Sequence, residues 1–219
     1  VMRPCLSSWG VTVSNLGRLV VVGAGGHAKV VIATARAAGW DVCAVLDDAP
    51  QTHGSEILGA RVVGGTEDIG SVEADKAVIA IGDNKSRKRV ADRLEASWVS
   101  IVHPASVIHE SVVIGDGTVV FAGVVIQPDT VIGVHGIVNT GASIDHDCRI
   151  GSFAHLAPGT KLAGNVTVGE GALLGIGSRA IPGTSIGSWA TVGAGGVVID
   201  RVPGNVVAVG LPARPSMDD

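Results

Sequence analysis

Residues 138–168 read Val138-Asn-Thr-Gly-Ala-Ser-Ile144-Asp-His-Asp-Cys-Arg-Ile150-Gly-Ser-Phe-Ala-His-Leu156-Ala-Pro-Gly-Thr-Lys-Leu162-Ala-Gly-Asn-Val-Thr-Val168, with an aliphatic residue at every sixth place. The grid extends back through Ile132, Ile126, Val120, Ile114 and Ile108 to Val102. It extends forward through Leu174, Ile186 and Val192 to Val198, and only Ala180 replaces a larger residue. A period of six is neither the 3.6 of a helix nor the 2 of a two-faced strand. It marks a chain wound as a solenoid of short strands. Three hexapeptides make one triangular coil of 18 residues, so seventeen grid positions give between five and six coils. Neighbouring coils should pair as parallel strands about 4.8 Å apart.

The register sorts the remaining positions. A grid residue i points into the prism, and i+4 is small (Ala142, Cys148, Ala154, Thr160), as a narrow interior requires. Position i+3 is a corner, held by Gly at 117, 123, 141, 159, 171, 177, 183 and 195 and by Asp129, Asp147 and Asn165 elsewhere. These residues tolerate a left-handed backbone, so the corners are expected at φ > 0. His146 falls at i+2, outside the core, where nothing in the repeat asks for histidine. Gly164 lies one coil above it, and His155, half a coil further on, falls on another face. One chain does not easily join those two faces, whereas two prisms side by side do, which gives a trimer with sites at its interfaces. His103, His109 and His135 read as structural.

Upstream of the coils, Leu19-Val-Val-Val22 reads as a buried strand running into Gly23-Ala-Gly-Gly-His-Ala28. A helix ending near Gly39 and a second strand, Val42–Leu46, follow, and Asp47-Asp48 close the unit. Strand, G-x-G-x-x-A turn, helix and an acidic pair about 20 residues on form a phosphate-binding β-α-β unit. Its helix N-terminus offers unpaired N–H groups to an anion. Residues 76–81 read as a further strand, leading into Gly82-Asp-Asn-Lys-Ser-Arg87 and a second helix. Arg87 lies where it either joins a solvated helix face or reaches a ligand. Only one nucleotide-binding half is present, which fits a mononucleotide or sugar nucleotide better than NAD. The expected organisation is a tail over 1–17, an α/β nucleotide-binding domain with a small parallel sheet over 18–101, and a parallel β-helix over 102–219. From what is known of such repeats the β-helix is left-handed.

Composition narrows the partners. The net charge of −4 gives no reason to expect nucleic acid or an anionic membrane, and 3% aromatic residues with no Tyr argue against base stacking. Cys5, Cys43 and Cys148 suit neither a disulfide framework nor a zinc knuckle, so the expected compartment is the reducing cytoplasm. Residues 1–15 lack the blocks of a signal peptide, and no apolar run is long enough to span a bilayer.

An exposed corner histidine beside Asp147 suits a general base, oriented and tuned by a carboxylate. A backbone N–H one coil above suits an oxyanion. Together they point to acyl transfer from a thioester to an amine or hydroxyl. Asp147 also occupies a corner that favours Asp on geometry alone, and Asp145 is an equally near carboxylate.

The segments Gly23–Ala28, Leu46–Asp48, Ile81–Asn84 with Arg87, Val138–Cys148, Phe153–Leu156, Lys161–Asn165 and Val209-Gly-Leu-Pro-Ala213 resemble bacterial sugar acetyltransferases of the sialic acid O-acetyltransferase type. Within that type they are most like the N-acetyltransferases of nucleotide-linked amino sugars. The resemblance covers about residues 18 to 214 and implies roles position by position. His146 is the base, assisted by Asp147, where relatives often carry Glu. His155 contacts the thioester region, and the Gly164 amide holds the acetyl oxygen. Asn139 lines the sugar pocket. The coils from Gly175 to Ala194, Ile176 among them, carry the pantetheine arm. Gly25, Gly26, His27, Asp47 and Asp48 hold the nucleotide, with Asn84 and Arg87 near the same ligand. The expected co-substrate is acetyl-CoA, with no metal. The alternatives are O-acetylation of a sialic acid or similar sugar and a non-catalytic nucleotide-binding scaffold. A zinc hydratase is disfavoured because His135, His146 and His155 contain no closely spaced ligand pair.

Overall fold

A computed structural model describes residues 16–216 of the chain; nearly all of the expected N-terminal tail lies outside the described residues. The α/β unit contains β1 (Arg18–Val22), α1 (Gly26–Ala37), β2 (Asp41–Leu46), β3 (Glu56–Ile57), β4 (Ala60–Gly64), β5 (Lys76–Ile79) and α2 (Asn84–Arg93). Its sheet order is β3-β4-β2-β1-β5, parallel except for the β3–β4 hairpin. The hairpin is absent from the sequence expectation because its two short strands carry no long apolar run. β1 lies inside the sheet between β2 and β5, and Leu19, Val21 and Val22 are fully buried, as a strand covered on both faces requires. α1 ends where expected, with Ala38 as C-cap and Gly39 at φ 99°.

From Ile101 to Val198 the chain is a left-handed parallel β-helix of two-residue strands. Strands 18 residues apart pair in register, Ile126 with both Ile108 and Ile144, and Leu156 with both Val138 and Leu174. The strands form three faces. Face I holds the strands that begin at Ile101, Val119, Ile137, His155, Leu173 and Thr191. Face II holds those at Val107, Val125, Ser143, Lys161, Arg179 and Val197. Face III holds those at Val113, Val131, Arg149, Thr167 and Ser185.

The interior is the grid itself. Ile126, Ile132, Val138, Ile144, Leu156 and Leu174 are buried, with Ala142, Cys148, Ala154 and Ala172 between them. Burying each large aliphatic side chain contributes about 1.5–3 kcal/mol. The interior hydroxyls of Thr118 and Thr130 are satisfied locally, Thr118 donating to the Gly133 carbonyl and Thr130 to that of Asp145.

The corner glycines and Asp129, Asp147 and Asn165 all lie at positive φ. One edge, between faces III and I, departs from the expected residue types. His135 (φ 52°), Phe153 (φ 59°) and Trp189 (φ 60°) adopt the same left-handed conformation there. Each such backbone costs an L-residue roughly 1–2 kcal/mol. Packing offsets the cost. The His135 ring stacks on Phe153 with centroids 5.2 Å apart and planes at 10°, Trp98 meets His135 edge-on, and the Trp189 ring fills the space where a Cβ on Gly171 would stand.

That edge and face I carry the α/β unit. Ile101, Val119, Phe121 and Ile137 share one buried cluster with Leu19, Val21, Ala28, Val31 and Ile32, so unit and coils have a continuous core. No helix among the described residues is long and apolar enough to cross a membrane.

Candidate active site

His146 stands on the edge between faces II and III, opposite face I. Strand Ser143–Ile144 delivers the chain to this corner, and the φ of 59° at Asp147 turns it onto the next face. The imidazole is exposed. Its Nδ1 lies 2.8 Å from Asp147 Oδ2, which leaves Nε2 facing outward, and its backbone N–H donates to Asp145 Oδ1 at 2.9 Å. The Asp147 hydrogen bond raises the His146 pKa above 6.5, with the Asp145 and Asp147 charges adding to it. Asp147 therefore acts on the ring directly, and Asp145 fixes the backbone that carries it.

Gly164 sits directly over this ring. A Cβ there would lie 2.6 Å from His146 Nε2 and Cε1, so only glycine leaves room for the imidazole. The Gly164 carbonyl accepts from Gly183, and the Asn165 N–H donates to the His146 carbonyl, while the Gly164 N–H meets no backbone acceptor among the described residues. An exposed base with an unpaired backbone donor beside it is the arrangement that acyl transfer to a nucleophile needs.

The remaining candidates gather elsewhere. His155 and Asn139 lie on face I, with Asn139 Nδ2 3.2 Å from His155 Nε2, and His155 also bonds to the Gly82 backbone. The His27 ring is 6.3 Å from that of His155 and 5.5 Å edge-on from Phe121. Burial, with the Arg87 charge next in importance, depresses both His27 and His155 to about 4, so both rings are neutral near pH 7. Gly25 and Gly26 open α1 immediately before His27. A Cβ on either would meet nothing within 4 Å, and the first turn carries no acidic residue, so the helix N-terminus faces open space. Ala194 packs under Gly175 at the corner after face I, with Ile176 exposed beside it.

His155 thus stands with Asn139 and the Gly-rich turn on face I. Within one chain it is not grouped with Gly164, as the register predicts, because the 18-residue spacing carries Gly164 to the opposite edge.

Four expected ligand residues are committed to the fold. Arg87 is fully buried, and its five N–H groups donate to the carbonyls of His135, Ile81, Gly82 and Phe153 and to Asn84 Oδ1. Asn84 donates in turn to the Gly171 and Ala172 carbonyls. The two residues fasten α2 to the coils rather than face a ligand. Asp47 accepts from the N–H groups of Ala24 and Ala49, closing the Gly-rich turn onto the sheet. Asp48 binds Thr66 and Arg93, which pull its carboxyl down to about 2. Asp48 remains about half-exposed beside these internal partners.

The sequence reading missed a groove on face I below His155, about 370 Å³, lined by Gly82, Asn84, Lys85, Leu173, Trp189 and Thr191 among others. The column His155, Leu173, Thr191, spaced by 18, was the available signal. A larger hollow of about 590 Å³ on the outer side of α2 includes Asp48 and Arg93 but no residue of the groups around His146 or His155. No cluster of three or more His, Cys, Asp or Glu among the described residues is arranged to hold a metal ion.

Comparison with known proteins gives the same picture of relatedness at three levels. Residues 18–94 match the family described as PglD N-terminal domain. UDP-N-acetylbacillosamine N-acetyltransferase of Bacillus subtilis (strain 168) is 41% identical over 111 residues, which span 48% of this chain and about half, 51%, of that relative. A histidine-to-asparagine mutant of perosamine N-acetyltransferase from Caulobacter crescentus, solved with CoA and GDP-perosamine, is 43% identical. The match covers 93% of this chain and 98% of that one at a TM-score of 0.85. The acetyltransferase domain of PglB from Neisseria gonorrhoeae FA1090, solved with acetyl coenzyme A, is 36% identical over 91% and 98% of the two chains, at a TM-score of 0.86.

Proposed function

The chain belongs to the hexapeptide-repeat family of nucleotide-amino-sugar N-acetyltransferases, and from that premise we propose that it moves acetyl from acetyl-CoA to the amino group of a nucleotide-linked amino-deoxy sugar. The observation that carries the reading is the exposed His146–Asp147 pair with the Gly164 amide directly above it.

In the reaction, the sugar amine attacks the thioester carbonyl while His146 Nε2 accepts the amine proton. The tetrahedral oxygen takes the Gly164 N–H. Collapse breaks the C–S bond, and the thiolate of CoA leaves with the proton held by His146. A positioned base contributes roughly 10²–10⁴ in rate, and one oxyanion donor about 10²–10³. Asp147 keeps the ring in the tautomer that presents Nε2 as acceptor.

The acceptor half of the site is the face-I group. Gly25 and Gly26 at the start of α1 take the diphosphate, and His27, His155 and Asn139 take the sugar side, with Ile176 and Ala194 beside the pantetheine arm. Because the His146 edge lies opposite face I, one chain does not hold both halves. The edge of one protomer meets face I of the next, and three protomers close the ring. The enzyme works in the cytoplasm, where acetyl-CoA and nucleotide sugars are made.

Incubation with acetyl-CoA and a panel of UDP-, GDP- and dTDP-linked amino sugars, followed by free-thiol release, tests the reading. Turnover with at least one amino sugar is expected. Turnover confined to free sialic acids makes the enzyme an O-acetyltransferase, and no thiol release with any acceptor leaves a binding scaffold.

A further inference from the structure

A buried guanidinium with no carboxylate partner is expensive unless every donor is used. Arg87 is fully buried and takes part in none of the ion pairs formed among the described residues. All five of its N–H groups are satisfied, four by backbone carbonyls. The choice of carbonyls is informative. Those of His135 and Phe153 belong to two successive coils, at corners already held in the left-handed conformation. Those of Ile81 and Gly82 belong to the turn after β5. The fifth bond, to Asn84 Oδ1, is extended by Asn84 to a third coil at Gly171 and Ala172.

The turn held this way is the one that touches both His155 of face I and His27 of α1. Gly82 bonds to His155, and a Cβ on Gly82 would lie 3.9 Å from the His27 ring. His155 thus meets both the turn and Asn139. The path from Arg87 to the proposed acceptor pocket is therefore short and continuous: guanidinium, Gly82, His155, Asn139. Among the described residues no hydrogen bond links the Arg87 side chain to the His146 edge.

We propose that Arg87 is a positioning residue for the acceptor half of the site, clamping the Ile81–Gly82 turn to two coils and so fixing His155 against Asn139 and His27. It touches no substrate. Its charge, after burial, also helps to keep both rings neutral. The inference rests on the acceptor assignment under Proposed function, and its test has an arm that does not need turnover.

Arg87→Lys keeps the charge and loses the planar fork, and a lysine replaces at most three of the five bonds. Hydrogen exchange on the intact protein should show faster exchange across residues 81–84 in the variant, with exchange around 144–148 unchanged. Steady-state kinetics with GDP-perosamine, or with whichever amino sugar the wild type turns over, should show KM for the sugar nucleotide raised about tenfold or more, and KM for acetyl-CoA within twofold. Unchanged exchange over 81–84 overturns the clamp whatever the enzyme acetylates. Equal rises in both KM values, or a rise in neither, overturn the link to the acceptor half. Wild-type protein inactive on every amino sugar defeats the proposed activity alone, and the exchange result still judges the clamp. If Arg87→Lys does not fold, Asn84→Ala removes one acceptor of the guanidinium and the two bonds to the third coil. It should give the same split at smaller size, and parallel effects on both substrates count against the proposal.

Discussion

Two edges of one β-helix use their corner residues in opposite ways. On the edge between faces II and III, His146 is exposed, paired with a carboxylate, and has its pKa raised. On the edge between faces III and I, His135 is buried between Trp98 and Phe153 and held near 4, first by burial and then by the Arg87 charge. Both edges satisfy the repeat. The first leaves its side chains free for chemistry; the second turns a strained corner into an aromatic column on which the α/β unit rests. The hexapeptide thus fixes where a residue stands, while the neighbour that covers or leaves that edge decides what it does.

The largest expected effect separates the edges by activity. His146→Ala should lower kcat by about 10²–10⁴ with an unchanged melting temperature, because the ring is exposed. Comparable loss of kcat in a folded His135→Asn variant, which keeps a residue tolerant of positive φ, would erase the distinction.

Stability should separate them the other way. Phe153→Ala removes the ring stacked on His135 and under the Lys88 ammonium, 5.0 Å from its centroid. Phe-to-Ala changes at buried sites cost about 3–5 kcal/mol, and chemical denaturation should find a loss at the lower end of that range, since alanine keeps the strained φ. A loss under 1 kcal/mol would mean that the column does not support the junction.

A smaller effect concerns pH. His146 is a base only when neutral, so kcat should rise with pH through a pKa above 6.5. Asp147→Asn removes the first cause of that elevation and should move this limb to lower pH, while cutting kcat roughly tenfold through loss of orientation. An unmoved limb would assign the titration to another group. On the opposite side, His27, His135 and His155 are depressed to about 4. Between 6.5 and 4 the unfolded chain binds more protons than the folded one at these positions. Their contribution to stability is thus complete above 6.5 and falls as pH drops towards 4.

The comparison also explains what was legible in the sequence. The grid placed every coil, put His146 outside the core and set Gly164 one coil above it, because a strict repeat converts residue number into position. It did not disclose why His135, Phe153 and Trp189 sit where Gly or Asn is normal, although their alignment on one edge, at multiples of 18 residues, was visible. That answer depends on the unit docked against them. The clamp was hidden for the same reason: Arg87 read as a solvated face or a ligand contact and Asn84 as a ligand neighbour, and a cation near a helix start becomes a clamp only when carbonyls from other coils surround it. The β3–β4 hairpin was invisible because strands of two and five residues carry too little periodicity.

The central claim, that the His146 edge of one protomer completes face I of another, is tested most directly by subunit mixing. His146→Ala and His155→Ala are each expected to be inactive as pure trimers. Unfolded together in equal amounts and refolded, they should regain about a quarter of wild-type activity. That is the chance that a site draws an intact edge from one variant and an intact face from the other in a closed ring. Activity no greater than the sum of the two pure variants would mean that both halves must come from the same chain, and would contradict the account.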